Sequence, residues 1–398
     1  NCSVGLVRTY RSIIITTIYP FGPPHNMRIA IISSSTFPAC LLDGAQVAYY
    51  GSEIFNSYLC LALANAGHEI SWYAPIGSST FMDNPSIHYH PIKNSYGDHL
   101  PSELLEDISF EHGALTTDLM QNDFIIDMSK QGHCIEELFY YSKLRRFLMY
   151  RSGHQDYWYP IRLAPQDRHY ILANRYFTTL FVAAGYPADY VNHFIPDFWA
   201  PGENSEYWKW PDLTRGDYYL FPHRPSPHKG IDVVVQLARK FPDKTFVIST
   251  STMLKDHVEN WNVAKLRCAD LPNVKFIQCP QYNKYHFYRR ELIRGAKALL
   301  CPYQTRAIAD ITYIDNGGYI ALEAMKCGTP LIITDSPATR DIYGDECDGK
   351  SLLYIDGYSG AKLAIENFDS YSLHGEVPQG WTQTDTVNKY MELIKKYS

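Results

Sequence analysis

The sequence predicts an α/β protein made of two Rossmann-like, doubly wound domains. Short apolar segments typical of buried strands alternate with segments of helical periodicity in both halves of the chain. A stretch rich in proline, glycine and charge at 201–217 interrupts this alternation, and 398 residues suffice for two domains of ordinary size. We therefore expect a first domain at 27–200, a linker at 201–217, a second domain at 218–383 and a closing helix at 384–398.

The composition excludes several classes of protein. Hydrophobic residues make up 45% of the chain and charged residues 20%, as in a folded globular protein. A net charge of -6 without a basic block argues against nucleic acid as a partner, and no apolar run reaches the ~18 residues of a transmembrane helix. The nine cysteines are scattered without a CxxC pair, which predicts reduced thiols in a cytoplasmic chain and no zinc site.

Residues 1–26 differ in character from the rest of the chain. Arg8 and Arg11 precede a short apolar stretch and three prolines, and Met27 opens a strand-like segment that suits the start of a domain. The apolar stretch is too short for a signal peptide. We interpret residues 1–26 as a leader that is disordered or foreign to the natural chain, rather than as a targeting segment.

The first half begins with a βαβ unit. Ile29–Ser33 has the pattern of a buried strand, Glu53–Ala66 has helical periodicity, and Ile70–Tyr73 is the next strand. Gly67 ends the helix between the two strands. Further strands are predicted at 124–128, 146–149 and 169–172.

The second half repeats this alternation. We expect helices at 231–240, 318–327 and 384–397, and strands at 218–221, 245–249, 274–277, 297–300 and 331–334. A GxGxxG sequence does not follow the first strand of either half, which disfavours an NAD-dependent enzyme.

An acidic pair at the start of the 318–327 helix suggests a nucleotide site. Asp315 and Glu323 are eight residues apart, with Asn316, Gly317 and Gly318 between them. Glycines that lead into a helix leave backbone N–H groups free to bind a diphosphate, and the Glu323 carboxylate can accept hydrogen bonds from ribose hydroxyls. The alternative is that both acids only stabilise the N-terminus of the helix.

This segment resembles the E-x7-E region of glycosyltransferase family 4, a retaining family with the GT-B fold. The residues that match are Asp315, Gly318, Glu323, Ala324, Met325, Gly328 and Pro330. The first acid is aspartate rather than glutamate, and Asn316 and Gly317 stand where the family has glycine and an aromatic residue. The resemblance implies that Glu323 binds the ribose and that Asp315 contacts the donor sugar.

A second match lies after the strand at 218–221. The segment resembles the family's strand-Gly-Arg-loop-Lys-Gly pattern, with His223 in place of the glycine. Arg224 and Lys229 then correspond to the basic pair that grips the donor diphosphate. They could instead be solvated surface charges, but the carboxyl end of a strand is where open α/β sheets bind ligands.

The first half carries weaker matches. Gly51, near the first helix, corresponds to the glycine loop of the family, although it could simply serve a tight turn. His68 is expected to be structural. His154, after a strand, is the preferred catalytic histidine, with His133 as the alternative.

The resemblance implies a metal-independent, retaining transfer of a sugar from a nucleoside-diphosphate sugar to a glycan, lipid or small-molecule acceptor. No cofactor is expected besides this co-substrate, with UDP slightly favoured over GDP. The catalytic residues are His154, Asp315, Arg224 and Lys229. The donor-binding residues are Gly51, Arg224, Lys229, Pro280, Tyr282, Asn316, Gly317, Gly318, Tyr319 and Glu323.

The sequence leaves other functions open. A GT-B sugar-nucleotide epimerase, a glycoside hydrolase and a non-catalytic nucleotide-sugar-binding protein are the alternatives. A hydrolase needs two carboxylates ~5–10 Å apart around the scissile bond, and the glycine-rich 315–323 segment fits a nucleotide better. In the GT-B fold the last helix crosses back to the first domain, a role that suits 384–398.

Overall fold

The structure is a computed structural model that contains two parallel β-sheets, one in each half of the chain. It describes residues 26–33, 51–75, 78, 84–92, 119, 121–128, 147–151, 169–195, 213–214, 216–250, 255–278, 285–304, 306–308, 311–313 and 318–397. The α/β class predicted from the alternating pattern is confirmed.

The first sheet has the strand order β3-β2-β1-β4-β5-β6-β7, and neighbouring strands are parallel. Its strands are β1 (Arg28–Ile32), β2 (Glu69–Pro75), β3 (Ile87–Ile92), β4 (Phe124–Asp127), β5 (Phe147–Arg151), β6 (His169–Leu172) and β7 (Ala188–Tyr190). Helices α1 (Gly51–Asn65) and α2 (Arg175–Ala183) accompany them. Residues 29–32 of β1 are buried, as expected for a central parallel strand covered on both faces.

The second sheet has the order β10-β9-β8-β11-β14-β15 and is also parallel. Its strands are β8 (Tyr218–Phe221), β9 (Thr245–Thr250), β10 (Val274–Gln278), β11 (Ala298–Cys301), β14 (Leu331–Thr334) and β15 (Leu352–Ile355); a separate antiparallel ribbon pairs β12 (Arg306–Ile308) with β13 (Ile311–Tyr313). The helices of this half are α3 (Ile231–Lys240), α4 (Lys255–Arg267), α5 (Tyr285–Gly295), α6 (Tyr319–Lys326), α7 (Pro337–Tyr343), α8 (Gly357–Glu366) and α9 (Gln383–Tyr397).

The two halves contact each other through α7 and α9. The Asn174 side chain donates a hydrogen bond to the Ala338 carbonyl at the start of α7 (2.9 Å). Helix α9 contacts α1, and the Tyr397 hydroxyl near its end donates to Asp189 (2.8 Å). The final helix of the chain therefore lies against the first sheet. None of the helices in the described ranges combines the length and apolarity that a membrane crossing needs.

Candidate functional site

The second sheet reverses its strand order between β8 and β11. From β8 the chain proceeds outward through β9 and β10, and from β11 it proceeds outward on the other side through β14 and β15. Loops that leave two neighbouring strands in opposite directions open a crevice at their carboxyl ends, and open α/β sheets bind ligands there. The segments that follow β8 and β11 are 222–230 and 302–304.

The loop after β8 is fixed against the segment after β11 by Gly230. This glycine ends a 3-10 turn over Pro227–Lys229 and starts α3 with φ at 86°, a left-handed conformation. A Cβ atom at this position would lie 1.9 Å from the Pro302 carbonyl oxygen. The Gln304 N–H donates to the His228 carbonyl (3.0 Å) and ties the two segments together.

Arg224 and Lys229 are half-buried on this loop. The Arg224 guanidinium lies 3.3 Å from the His228 imidazole Nε2, and the Lys229 ammonium lies 5.2 Å from the centre of the Tyr303 ring. Such partners hold the two cations in the crevice rather than in bulk solvent. The structure therefore places both sequence-predicted cations at the switch point, together with Tyr303, which the sequence analysis did not identify.

Helix α6 begins beside the same tyrosine. Gly318 precedes the helix with φ at 66°, and a Cβ atom there would lie 2.6 Å from the Tyr303 hydroxyl oxygen. The first N–H groups of a helix have no acceptor within the helix and carry partial positive charge. Lys229, Tyr303 and the start of α6 therefore form one electropositive corner.

Glu323 lies in the middle of α6 and is fully buried. Its Oε2 forms a 2.5 Å ion pair with Arg289 of α5. Burial raises the pKa of Glu323 to about 7, although the neighbouring Arg289 lowers it. The Oε1 atom has no hydrogen-bond partner among the described residues. Arg289 is a residue that the sequence analysis missed, because the ion pair depends on how α5 packs on α6.

Tyr319 contacts the first half of the chain rather than the crevice. Its hydroxyl donates to the Phe194 carbonyl (2.8 Å), and its ring lies 5.7 Å from the ring of His193. A cavity of about 20 Å³, sufficient for about one water, is lined there by His193, Gly318 and Tyr319 among others. The contribution of Tyr319 to donor binding stays a prediction, and its backbone N–H is the group placed to provide it.

Several predicted residues cannot be placed. His133, His154, Pro280, Tyr282, Asp315, Asn316 and Gly317 lie outside the described residues. Gly51 is the first residue of α1, and His68 is buried where α1 leads into β2. Within the described ranges, no group of three His, Cys, Asp or Glu side chains could hold a metal ion.

Comparisons with known proteins agree with this geometry. Residues 208–353 match the family model of glycosyl transferases group 1, which spans the loop after β8, the segment after β11 and helix α6. A comparison with curated protein sequences finds no match.

Solved structures resemble the chain over nearly its whole length. Sucrose-phosphate synthase from Thermosynechococcus elongatus has 16% identity and a TM-score of 0.63, covering 94% of this chain and 95% of its own. Anabaena HepE in complex with UDP and glucose has 11% identity and a TM-score of 0.63, covering 93% and 100%. An α-glucosyltransferase in complex with UDP and a 13-mer DNA containing a HMU base has 13% identity and a TM-score of 0.55, covering 93% and 99%.

These likenesses confirm the predicted GT-B fold, with two Rossmann-like domains. The family match covers the second sheet, where the two cations and the buried glutamate lie. The chain is therefore a glycosyltransferase with the GT-B fold, in which residues 208–353 match the model of the group 1 glycosyl transferases.

Proposed function

We propose that the chain is a retaining enzyme of glycosyltransferase family 4, which moves a sugar from a nucleoside-diphosphate sugar to a hydroxyl acceptor without a metal ion. The observation that supports the proposal most directly is the burial of the Glu323 carboxylate. A fully buried carboxylate with one oxygen lacking a hydrogen-bond partner among the described residues is costly unless a ligand completes it. Ribose hydroxyls are donors of the required kind.

The nucleoside would bind along α6 and the diphosphate at its start. Glu323 is four residues beyond Tyr319, so one helical turn separates the carboxylate from the first N–H groups. Glu323 accepts from the ribose, and Arg289 holds the carboxylate in place. Pro280 and Tyr282 line the base pocket in this proposal, with UDP slightly favoured over GDP.

The leaving nucleoside diphosphate acquires negative charge as the sugar bond breaks. Arg224, Lys229 and the N-terminus of α6 supply fixed positive charge where a metal ion would otherwise act. Such preorganised groups stabilise charge that develops in the transition state. This arrangement supports a metal-independent reaction.

The acceptor side of the proposal rests on the resemblance to the family. The acceptor hydroxyl attacks the face that the diphosphate leaves, the leaving oxygen helps to take its proton, and the anomeric configuration is retained. Asp315 contacts the donor sugar and His154 lines the acceptor side. A net charge of -6 favours a glycan, lipid or small-molecule acceptor over nucleic acid. The scattered cysteines, without a CxxC pair, favour a cytoplasmic chain.

The test is initial-rate kinetics with a panel of UDP- and GDP-sugars and a mixed set of sugar, polyol and lipid acceptors, with and without EDTA. We expect release of the nucleoside diphosphate, activity that survives EDTA, and a product whose anomeric configuration by NMR equals that of the donor. Inverted product would contradict the retaining assignment, and activity lost in EDTA and restored by magnesium or manganese would contradict metal independence. Interconversion of nucleotide sugars without diphosphate release would indicate an epimerase, and binding without turnover a non-catalytic protein.

A further inference from the structure

Tyr303 lies between the two parts of the proposed diphosphate site, which are the loop after β8 and the N-terminus of α6. It follows β11, the strand next to β8 at the switch point of the second sheet. The Lys229 ammonium lies 5.2 Å from the centre of its ring, and its hydroxyl oxygen lies 2.6 Å from the place where a Cβ of Gly318 would be. The phenol therefore joins the loop after β8 to the start of α6.

The orientation of Tyr303 is fixed from several sides. Its N–H donates to the Cys301 carbonyl (2.9 Å), and its carbonyl accepts from the Thr334 hydroxyl (2.8 Å). The ring of His223 meets the Tyr303 ring at 67°, with 5.3 Å between centres, while His223 Nε2 lies 3.4 Å from the Cys301 sulfur. A buried ring held by both neighbouring strands delivers its hydroxyl to one defined position.

The Tyr303 hydroxyl lies where the proposed diphosphate would bind, and a hydrogen-bond donor is useful there. The oxygens of a diphosphate can only accept hydrogen bonds, and a neutral phenol hydroxyl can donate one. Hydrogen bonds to charged acceptors are shorter and stronger than those between neutral groups. Resting on the function proposed above, we propose that Tyr303 is a further donor-binding residue, whose hydroxyl donates to a phosphate oxygen of the nucleoside-diphosphate sugar.

This proposal makes His223 a positioning residue. The family has glycine where this chain has His223, and the imidazole fills the space between the Tyr303 ring and Phe221 (5.1 Å between ring centres). In this arrangement the side chain of His223 after β8 supports the tyrosine after β11. Tyr303 contacts the ligand, and His223 acts only through Tyr303.

The test compares Tyr303→Phe with Tyr219→Phe. Tyr219 lies on β8, but its side chain belongs to the core on the opposite face of the sheet, and its hydroxyl has no hydrogen-bond partner among the described residues. Both variants lose one hydroxyl group from a buried tyrosine, and only Tyr303→Phe alters the crevice. Dissociation constants are measured by calorimetry for UDP and GDP, and by competition for uridine and guanosine, on wild type, both variants and Glu323→Gln.

We expect Tyr303→Phe to weaken binding of the cognate diphosphate about tenfold and to leave the nucleoside unchanged. Tyr219→Phe should match wild type. An unchanged diphosphate affinity in Tyr303→Phe, with Glu323→Gln still weakened, overturns the role of Tyr303 and leaves the proposed function standing. Equal weakening for diphosphate and nucleoside also overturns it, because the hydroxyl would then only shape the site. Wild type that binds neither UDP nor GDP overturns both proposals.

A second substitution tests the same hydrogen bond if Tyr303→Phe unfolds. Replacement of Tyr303 by a ring-fluorinated tyrosine keeps the shape and makes the phenol more acidic. The phenolate that forms as pH rises cannot donate and repels phosphate, so the diphosphate affinity of the fluorinated protein relative to wild type should fall as pH rises, while its relative nucleoside affinity stays constant. Parallel pH profiles for the fluorinated and wild-type proteins would contradict the proposal.

Discussion

The carboxyl ends of the two sheets carry different chemistry. In the first sheet, the residues after β6 and β7 are the neutral amides Asn174 and Asn192. Asn174 donates to the Ala338 carbonyl, and Asn192 donates to the Gly380 carbonyl (2.9 Å) and accepts from Lys389 (2.5 Å). In the second sheet, the residues after β8 and β11 include Lys229 and Tyr303, which meet the start of α6.

The strand ends of the first sheet therefore serve contacts between the two halves of the chain, and those of the second sheet suit ligand binding. At β6 and β7 the amides form hydrogen bonds with residues of the second half, so these strand ends take part in the contact between the two halves. At β8 and β11 cations, a hydroxyl and a helix N-terminus converge, an arrangement that suits an anion. Both sheets are parallel and doubly wound, so the fold alone does not decide the use of a strand end, and the side chains placed there do.

The largest expected effect comes from removing a cation of the second sheet. Arg224→Ala and Lys229→Ala should each lower the maximal rate at least ~10²-fold, about 3 kcal/mol, because each removes charge stabilisation from the transition state. Initial rates with the cognate nucleotide sugar measure this loss. Lys240→Ala, an exposed lysine at the end of α3, is the matched control and should behave as wild type. Near-normal rates in both crevice variants would exclude Arg224 and Lys229 as the residues that stabilise the leaving diphosphate.

The stability of the unliganded protein should depend on the protonation of Glu323. Its folded-state pKa of about 7 lies above the ordinary value of 4.5, so the folded protein retains a proton that the unfolded chain releases. The associated stability is full below pH ~4.5 and is lost as pH rises to ~7, by about 3 kcal/mol. Denaturant unfolding of wild type and Glu323→Gln across this range measures the difference. A constant difference in unfolding free energy between the two proteins would show that Glu323 does not titrate there.

Donor affinity should show the opposite trend with pH. The ionised Glu323 is the better acceptor for ribose hydroxyls, so affinity for the cognate nucleoside diphosphate should rise as pH passes through about 7. Glu323→Gln should weaken binding ~10-fold or more and flatten this rise. Calorimetric titration of both proteins at several pH values provides the comparison, and an unchanged dissociation constant in Glu323→Gln would exclude it as the ribose ligand.

The sequence predicted the interior strands of both sheets more completely than the edge strands. The interior strands β6, β8 and β14 have the predicted bounds because each is a short, largely apolar run. The edge strands β3, β7 and β15, the ribbon strands β12 and β13 and the helices α2, α4, α5, α7 and α8 were not predicted. The sequence of β3, IHYHPI, mixes apolar and titratable residues because an edge strand needs less burial.

The candidate site was predictable where it is local in sequence. Glu323, Gly318, Arg224 and Lys229 were found because short segments around one helix and one loop resemble motifs of glycosyltransferase family 4. Arg289 was not, because its partner Glu323 lies on another helix. Tyr303 was missed because its role depends on β8 and β11 being neighbours, which the strand order alone reveals.

A smaller effect is expected where Tyr319 joins the two halves. Tyr319→Phe removes the hydrogen bond to the Phe194 carbonyl and should lower the free energy of unfolding by about 1 kcal/mol. The affinity for the nucleoside diphosphate should stay unchanged, because the helix N–H groups are retained. Thermal unfolding and calorimetry on the same samples separate the two effects. A variant of normal stability with weakened binding would instead place the Tyr319 hydroxyl in the donor site.

Amide hydrogen exchange, with and without the nucleoside diphosphate that binds, shows directly which of the two sheets carries the donor site. We expect slower exchange in residues 223–230 and 318–323 of the second half once the ligand is added. Exchange in residues 189–195, which contact the second half, should change less. Protection confined to 189–195, with no change at 223–230 and 318–323, would contradict the assignment of the donor site to the second sheet.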